Sequence, residues 1–269
     1  MKNKISLLLL LVTLIFGSAK GAENLAAADS AYNGKDYLRA IELYTAAAES
    51  EGTSAGLLYN LGNAYFQMGD YGNAMLNWLR ARRLAPGDSK INANIKYLQS
   101  RVEDANKAEQ RGKRMKVTPD EESFFQSINA SISQNTSSNA WAVWGAACFV
   151  LFVAAVAIYI FSRNVILRKV GFFGGMALLF LSVIFVIFSF MASKAQTATD
   201  TGVVVGYKVT LLTEPGKEAD ANKGGVLTKG SKVQILSEEV DAEGKVTWYK
   251  VRLNSDYIGW VSATDLEIV

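Results

Sequence analysis

Residues 55–88, "AGLLYNLGNAYFQMGDYGNAMLNWLRARRLAPGD", carry a pattern that the preceding sequence also carries. A shift of 34 residues superposes aromatic residues on aromatic residues and alanines on alanines. The superposed pairs are Tyr71 on Tyr37, Ala74 on Ala40, Trp78 on Tyr44 and Ala81 on Ala47. Self-similarity at a fixed period is the signature of a repeat architecture, in which stacked units bury a continuous core. The N-terminal part of the chain is therefore predicted to be an array of repeats.

These residues resemble the tetratricopeptide repeat (TPR), a helix–turn–helix unit with the same period. The positions that match its pattern are Leu61, Gly62, Tyr65, Gly69, Tyr71, Ala74, Trp78, Ala81 and Pro86. Gly62 and Ala74 allow two antiparallel helices to touch, aromatic side chains fill the space between them, and Pro86 stops the second helix. The resemblance implies an all-α helical repeat domain.

The copies on either side are less complete. The first copy has Ala27 and Ala28 where the pattern expects Leu-Gly, although its second helix matches. A third unit begins at Ser89 with an apolar stripe at helical spacing and then loses the pattern, which is typical of a capping helix. We therefore predict a TPR domain with a capping helix over residues 22–102, followed by a linker over residues 103–140.

The resemblance also implies a binding groove, because the first helix of each repeat lines the concave face of a TPR array. The side chains expected there are Tyr59, Asn60, Asn63, Phe66, Lys90, Asn94 and Tyr97. Amide groups can hydrogen-bond the backbone of an extended peptide, and aromatic rings can pack against its side chains. We therefore expect a protein segment in this groove. The alternatives are that these residues only solvate the face, or that the linker fills the groove.

Some TPR domains clamp the terminal carboxylate of a peptide with a set of polar residues. Asn60 and Lys90 match that set, whereas Leu25, Asp29 and Asn94 stand at its other positions. Because Asp29 would repel a carboxylate, an internal or neutral segment is expected instead.

Residues 1–21 predict a secretory signal peptide, with Lys2 and Lys4 before an apolar core from Ile5 to Phe16. An uncleaved anchor is the alternative. In the linker, Thr118 and the residues after it predict an N-cap, and the helix that follows has an apolar side. This helix is expected to lie on the outer membrane surface as an interfacial amphipathic helix.

Two uncharged apolar segments, residues 141–161 and 170–191, predict transmembrane helices, and the first would be about 31 Å long. The loop between them, residues 162–169, carries three basic residues, whereas Lys194 is the only Lys or Arg within fifteen residues of the outer ends of the spans. The positive-inside rule therefore places the loop in the cytoplasm. The prediction is a two-pass protein of the bacterial inner membrane with periplasmic N- and C-terminal domains.

Small residues on the second predicted span fall on one helix face: Gly171, Gly175, Ser182 and Ser189. Small side chains let another helix approach closely. The partner helix is either the first span of the same chain or a membrane helix of another protein.

From residue 202 to residue 269 the chain consists of short β-rich runs separated by turn residues, which predicts a small all-β barrel. The runs "LLTEPGKEA", "VLTKGSKVQIL", "WYKVRL" and "GWVSATDLEIV" resemble the bacterial SH3-like (SH3b) domain. Trp248, Tyr257 and Trp260 are candidates for a peptide groove, or they are half-buried residues of sheet packing.

Composition limits the chemistry. The chain has no histidine and a single cysteine, Cys148, which excludes disulfides, Cys/His zinc sites and His-dependent catalysis. The net charge is +3, and residues 22–102 carry eight acidic and eight basic residues. Nucleic-acid binding requires a one-sided basic patch, and this balanced charge does not predict one. No catalytic residue, metal ligand or cofactor site is predicted.

The order of signal peptide, TPR array, two spans and SH3b domain resembles the BatE-type proteins of the bacterial aerotolerance (Bat) operon family. The resemblance implies a membrane scaffold that works with von Willebrand A-domain membrane proteins and a MoxR-type ATPase, in envelope stress tolerance. One alternative is a sensor whose SH3b domain binds a cell-wall peptide of peptidoglycan. An envelope hydrolase is the other, although Ser and Lys show no signature.

Overall fold

The computed structural model describes residues 25–109, 131–132, 136–217, 225–254 and 257–269. The chain divides into two compact units. One unit joins the N-terminal helices to the C-terminal strands, and the other contains two long apolar helices. The predicted signal peptide and most of the predicted interfacial helix lie outside the described residues.

The first unit begins with five helices connected by short turns. They are α1 (residues 25–33), α2 (Tyr37–Glu51), α3 (Ala55–Gln67), α4 (Tyr71–Leu84) and α5 (Ser89–Glu109). Side-chain oxygens begin two of them: Asp36 accepts a hydrogen bond from the amide of Arg39, and Ser54 accepts one from Leu57. Each cap satisfies a backbone N–H that has no partner within the helix. The predicted helical repeat is confirmed.

Small and aromatic side chains form the core of the array at the positions that the 34-residue period relates. Ala40, Tyr44, Ala74 and Trp78 are each at most 2% exposed. A Cβ atom at Gly62 would lie 2.5 Å from Cδ1 of Trp78 and 3.2 Å from the carbonyl oxygen of Ala74. Helices α3 and α4 therefore touch at this glycine, and the indole of Trp78 fills the space that a side chain would need.

Helix α5 is longer than predicted. The sequence pattern ended at Val102, with a linker from residue 103, but the helix continues to Glu109. The reason is tertiary, because Asn106 is only 4% exposed and lies against the C-terminal strands. Because Asn106 is polar, the apolar stripe of the sequence stops before it. In the structure Asn106 nevertheless lies on the buried face of the helix.

The C-terminal part of the first unit is rich in strands. They are β1 (Thr201–Val204), β2 (Lys208–Thr210), β3 (Val226–Thr228), β4 (Lys232–Val240), β5 (Val246–Arg252), β6 (Ile258–Ser262) and β7 (Leu266–Ile268). Five of them form an antiparallel sheet in the order β6-β5-β4-β1-β7, and β2 pairs with β3. A bridge between Leu212 and Trp260 joins the segment after β2 to β6. The SH3-like fold is confirmed.

The helical array packs on this SH3b domain through a buried polar contact. Oδ1 of Asn106 accepts hydrogen bonds from the amide and the hydroxyl of Thr228, at 2.9 and 2.8 Å. Its Nδ2 donates to Oγ of Ser231 at 3.0 Å, and that hydroxyl donates to the carbonyl of Thr228 at 2.7 Å. Because both polar atoms of the buried amide are satisfied, the contact avoids a desolvation penalty and selects one register between α5 and β3.

Two glycines let the backbones of the two domains come close. A Cβ atom at Gly72, on α4, would lie 3.0 Å from the carbonyl oxygen of Val204. A Cβ atom at Gly230 would lie 3.0 Å from the carbonyl oxygen of Tyr71, and Gly230 has φ of +90°, which favours glycine. The contact therefore depends on missing side chains on both sides.

Charged groups surround the buried contact between the two domains. Lys229 lies 3.0 Å from the carboxylate of Asp70, and Lys208 lies 2.8 Å from that of Glu109. Arg80 donates to the carbonyl of Ile268 at 2.8 Å. Ion pairs at a partly exposed edge contribute little individually, so they orient the two domains more than they hold them together.

The second unit consists of α6 (Ser138–Phe161) and α7 (Val165–Thr197). Both helices are long and apolar enough to cross a membrane. In the most apolar 18-residue stretch of each helix, only 11% and 17% of the residues are buried. The connector is shorter than the predicted loop 162–169. Asn164 caps α7 by accepting a hydrogen bond from the amide of Ile166, so the helix begins before the apolar run does.

Candidate functional site

A cavity of about 260 Å³ opens on the face formed by the first helices of the array. Its lining is polar and aromatic, and it includes two of the residues predicted for the groove. The lining residues are Asp29, Tyr32, Asn33, Tyr44, Asn60 and Asn63. Cavities lined by a few convergent polar groups are the usual places for ligands.

One end of the cavity is organised by a hydrogen-bonded group that we name the Asp29 cluster: Asp29, Tyr44 and Asn60. The Tyr44 hydroxyl donates to Oδ1 of Asp29 through a short hydrogen bond, and Nδ2 of Asn60 donates to the same oxygen at 3.4 Å. Burial raises the pKa of Tyr44, and the hydrogen bond to the carboxylate raises it further. Tyr44 therefore remains a protonated donor, and Asp29 remains an acceptor that faces the cavity.

The next repeat contains an equivalent group, the Asn63 cluster: Asn63, Trp78 and Asn94. Nε1 of Trp78 donates to Oδ1 of Asn63 at 3.1 Å, and Nδ2 of Asn94 donates to the same oxygen at 3.0 Å. Each member stands 34 residues after its counterpart in the Asp29 cluster. The structure therefore repeats one arrangement, in which a buried aromatic donor and an amide donor share one acceptor. The acceptor is charged only in the first copy.

Of the remaining predicted groove residues, Phe66, Tyr97 and Tyr59 make contacts within the array, and Lys90 is exposed. The rings of Phe66 and Tyr97 lie 6.1 Å apart, and Phe66 also packs 5.5 Å from Trp78, so these aromatic residues are brought together. The backbone carbonyl of Tyr59 contacts the same packing group by accepting a hydrogen bond from Nε1 of Trp78 at 3.2 Å. Lys90 is exposed at the beginning of α5. Asn63 and Phe66 therefore hold the helices to each other, and of these two only Asn63 lines the cavity.

Three lining residues were not predicted from the sequence as groove residues: Tyr32, Asn33 and Tyr44. Tyr44 was interpreted as a core residue because it aligns with Trp78, and its ring is indeed buried. The signal that identifies its second role is the residue type, since a buried tyrosine needs a partner for its hydroxyl. That partner is Asp29, whose position in the repeat matches that of Asn63.

The three aromatic candidates in the SH3b domain do not share one face. Trp248 and Trp260 lie on the outer face of β5 and β6, where Lys250 is the direct neighbour of Trp260 and its ammonium is 5.9 Å from the indole. Tyr257 instead packs against the hydrophobic core of the domain. Tyr257 stands just before β6 and shares the two-residue alternation of the buried Gly259 and Val261, which is opposite to that of Trp260. The structure therefore brings Trp248 and Trp260 to one face and does not bring Tyr257 to it.

The small residues of α7 pack on α6 of the same chain. Ser182 donates to the carbonyl of Gly145 at 2.9 Å, and Ser189 donates to that of Ser138 at 2.9 Å. A Cβ atom at Gly171 would lie 2.8 Å from the carbonyl oxygen of Ala155, and one at Gly175 would lie 3.4 Å from Cβ of the same alanine. This packing favours the interpretation that the stripe serves the protein's own first apolar helix.

Comparison with known families agrees with both soluble folds. The family model of the tetratricopeptide repeat matches residues 55–88, and that of the bacterial SH3 domain matches residues 202–267. No curated protein matches the chain. Both matched domains are typically non-catalytic binding domains, so the chain carries two modules suited to protein interaction, and the SH3 module is also suited to the cell wall.

Proposed function

We propose that the protein is a non-enzymatic membrane scaffold whose TPR groove binds a protein segment that carries a lysine or an arginine. The observation that carries this proposal is the Asp29 cluster, which holds a carboxylate at an open cavity. Among the described residues, no Lys or Arg lines that cavity. A basic side chain of the partner would supply the counter-charge, and charge-assisted hydrogen bonds are stronger than neutral ones. Tyr32, which is half-buried in the lining, adds aromatic surface for the same cation.

Asp29→Asn tests this proposal because asparagine still accepts hydrogen bonds from Tyr44 and Asn60 while the negative charge is lost. We expect the recovery of a partner from crosslinked membranes to fall about tenfold, since a hydrogen bond to a charged group contributes about 1.5–3 kcal/mol. Glu49→Gln removes an exposed negative charge from α2 outside the cavity lining and is the matched control. Equal recovery with Asp29→Asn and wild type would move the binding site elsewhere, with the SH3b domain next.

A peptide experiment identifies the partner group. Peptides that span the recovered partner are titrated against the full-length protein in detergent, and the basic residue of the binding peptide is replaced by glutamine. We expect that replacement to weaken binding to wild type but to change little with Asp29→Asn, because the two substitutions remove the same ion pair. Independent losses from the two substitutions would contradict a direct contact between Asp29 and the basic residue.

The contact between the TPR array and the SH3b domain supports a hairpin topology. Asn106 and Thr228 can meet only if both domains lie on the same side of a membrane, and two spans between them return the chain to that side. The basic residues of the connector support a cytoplasmic position for it, which leaves both domains in the periplasm. We therefore propose a two-pass protein of the bacterial inner membrane.

Thiol labelling tests this topology in a Cys148→Ser background. A cysteine at Asn164 should resist a membrane-impermeant reagent in intact cells, whereas cysteines at Glu51 and Glu243 should react, because both glutamates are exposed. Labelling at position 164 with protection at the other two would overturn the orientation. Labelling at only one of positions 51 and 243 would overturn the hairpin.

The resemblance to BatE-type proteins supports a more specific form of the scaffold. We propose von Willebrand A-domain membrane proteins and a MoxR-type ATPase system as its partners, in tolerance of oxygen or envelope stress. Copurification of these proteins with wild type, and their loss with Asp29→Asn, is the expected result. If wild type and Asp29→Asn recover these partners at equal levels, that interaction lies outside the TPR groove.

A second candidate function rests on Trp248 and Trp260. They share an outer face of the SH3b domain with Lys250, on strands at the far end of the sheet from β1 and β7. A pair of half-exposed aromatic residues beside a cation suits a cell-wall peptide or glycan. Sedimentation of the full-length protein with purified peptidoglycan, and its loss with Trp260→Ala, would support a cell-wall sensor. If the protein does not cosediment with peptidoglycan, the cell-wall sensor is rejected and the protein scaffold is retained.

A further inference from the structure

A second cavity, of about 320 Å³, lies where α6 ends and α7 begins. Two cations and four apolar or aromatic residues line it: Arg168, Lys169, Tyr159, Val165, Phe172 and Phe173. The apolar members are exposed, with Val165 at 64% and Phe173 at 68%. The cavity therefore combines positive charge with apolar walls, and no other part of this helical hairpin covers these walls.

The positive charge of this cavity has no counter-charge within the hairpin. No Asp or Glu occurs between residues 123 and 199, whereas this stretch contains four Lys or Arg residues. Three of the four are in the connector or the first turns of α7: Arg163, Arg168 and Lys169. A local excess of positive charge without carboxylates favours an anionic ligand.

The geometry of Arg168 suits a phosphate. Its guanidinium carbon lies 5.3 Å from the ring centroid of Tyr159, so the side chain stacks on an aromatic face. Stacking uses the face of the guanidinium, whereas its N–H donors lie along the edge, where they match phosphate oxygens. Lys169, the next residue and also part of the lining, adds a second cation.

We propose that this cavity binds an anionic phospholipid, with its phosphate on Arg168 and Lys169 and its glycerol and acyl groups against Phe172 and Phe173. Inorganic phosphate would use the cations and leave the apolar walls in water, whereas a lipid uses both. Basic pockets at the ends of membrane helices are known to hold lipid headgroups. The inference rests on the proposed insertion of α6 and α7, which the labelling of position 164 tests independently.

The experiment compares two variants that lose the same charge. Full-length protein is reconstituted in vesicles of phosphatidylcholine with phosphatidylglycerol, extracted in mild detergent, and examined by native mass spectrometry for retained lipid. We expect wild type to retain phosphatidylglycerol selectively over phosphatidylcholine. Arg168→Gln/Lys169→Gln should lower that retention roughly tenfold or more, since each basic residue contributes about 1 kcal/mol at an anionic lipid surface. The control Arg163→Gln/Lys194→Gln removes two charges outside the lining and should retain the lipid.

The other outcomes contradict the proposal. Equal loss in both double variants would indicate general attraction to anionic lipid instead of a site. Retention of phosphatidylglycerol by Arg168→Gln/Lys169→Gln would place the lipid elsewhere. Full displacement by inorganic phosphate at the same concentration as the lipid would show that the apolar walls contribute nothing. Phe173→Ala provides a check that leaves the charges in place, and it should weaken retention without removing the preference for phosphatidylglycerol.

Discussion

The two TPR copies place the same interactions in the same positions but differ in size, charge and neighbours. In the first copy, Ala28 packs in a core with Tyr44. In the second, Gly62 stands at the equivalent position and Trp78 fills the space that the missing methyl group leaves. The larger aromatic residue, Trp78, therefore stands opposite glycine, and the smaller one, Tyr44, stands in a core with alanine. The comparison shows that the two copies share a hydrogen-bond pattern while they exchange residue sizes.

The second copy also packs against the SH3b domain, through residues that differ from their counterparts in the first. Leu38 on α2 is 60% exposed, whereas its counterpart on α4 is Gly72, which touches the backbone of β1. Asp36 caps α2, and its counterpart Asp70 makes the same bond to the amide of Asn73 while also pairing with Lys229. The first repeat therefore places the carboxylate of Asp29 at a cavity, and the second makes an internal domain contact.

The largest expected effect comes from giving the second copy the residue of the first at the domain contact. Gly72→Leu places a side chain where backbone atoms of Val204 and Val205 lie 3.0 Å from the first added carbon. Because backbone cannot move aside as a side chain does, we expect a loss of up to about 3 kcal/mol and separation of the two domains. Limited proteolysis of the full-length protein in detergent measures that separation.

Leu38→Gly is the reciprocal control for the domain contact. Leu38 is exposed, so we expect only the cost of a helical glycine, about 1 kcal/mol or less, and no change in the protection of the SH3b domain. Protection of the SH3b domain in Gly72→Leu equal to that in wild type would show that the array and the SH3b domain do not form this contact in solution.

An intermediate effect is expected for Gly62→Ala, which imports the small residue of the first copy without its aromatic partner. The new methyl group would overlap Trp78, and the gain in helix propensity offsets only part of that cost. We expect a net loss of about 1 kcal/mol in the free energy of unfolding, measured by urea titration followed by circular dichroism. Trp78→Tyr in the same protein should recover part of the loss, because it recreates the pair Ala28 and Tyr44. Additive losses would contradict the exchange of volume between these positions.

The smallest effect concerns pH and distinguishes the two capping aspartates. Burial opposes ionisation of Asp70, but hydrogen bonds from Asn73 and the partner Lys229 outweigh it and lower the pKa of this carboxyl below its ordinary value. A lowered pKa in the folded state stabilises the fold above the unfolded pKa, and that stabilisation is lost as pH falls through the folded pKa. Asp70→Asn should therefore reduce stability by at most about 1 kcal/mol at neutral pH and by nothing in strong acid.

Asp36→Asn is the matched control for this pH dependence. Asparagine also caps helices, and among the described residues no Lys or Arg forms an ion pair with Asp36, so we expect little change in stability at neutral pH. A loss for Asp36→Asn as large as that for Asp70→Asn would show that the cap, and not Lys229, is responsible.

Periodicity determined most of the architecture from the sequence. The 34-residue spacing identified the helix pairs and the buried positions Ala74 and Trp78, because packing of stacked units requires the same residue types at each interval. Uncharged length identified the two apolar helices, and turn residues between β-rich runs identified the SH3-like domain. These properties are local or repeated, so they are readable along a single chain.

Tertiary structure decided what local patterns do not encode. Asn106 and Gly72 are ordinary residues in the sequence, and only the fold shows that one is buried in a contact with Thr228 and the other makes room for β1. The contact joins residues more than 120 positions apart, so no period or motif records it. The same holds for Asp29, whose carboxylate gains its role from Tyr44 and Asn60 on neighbouring helices. A polar side chain is assigned to a groove, a cap or an interface by the partners that folding brings to it.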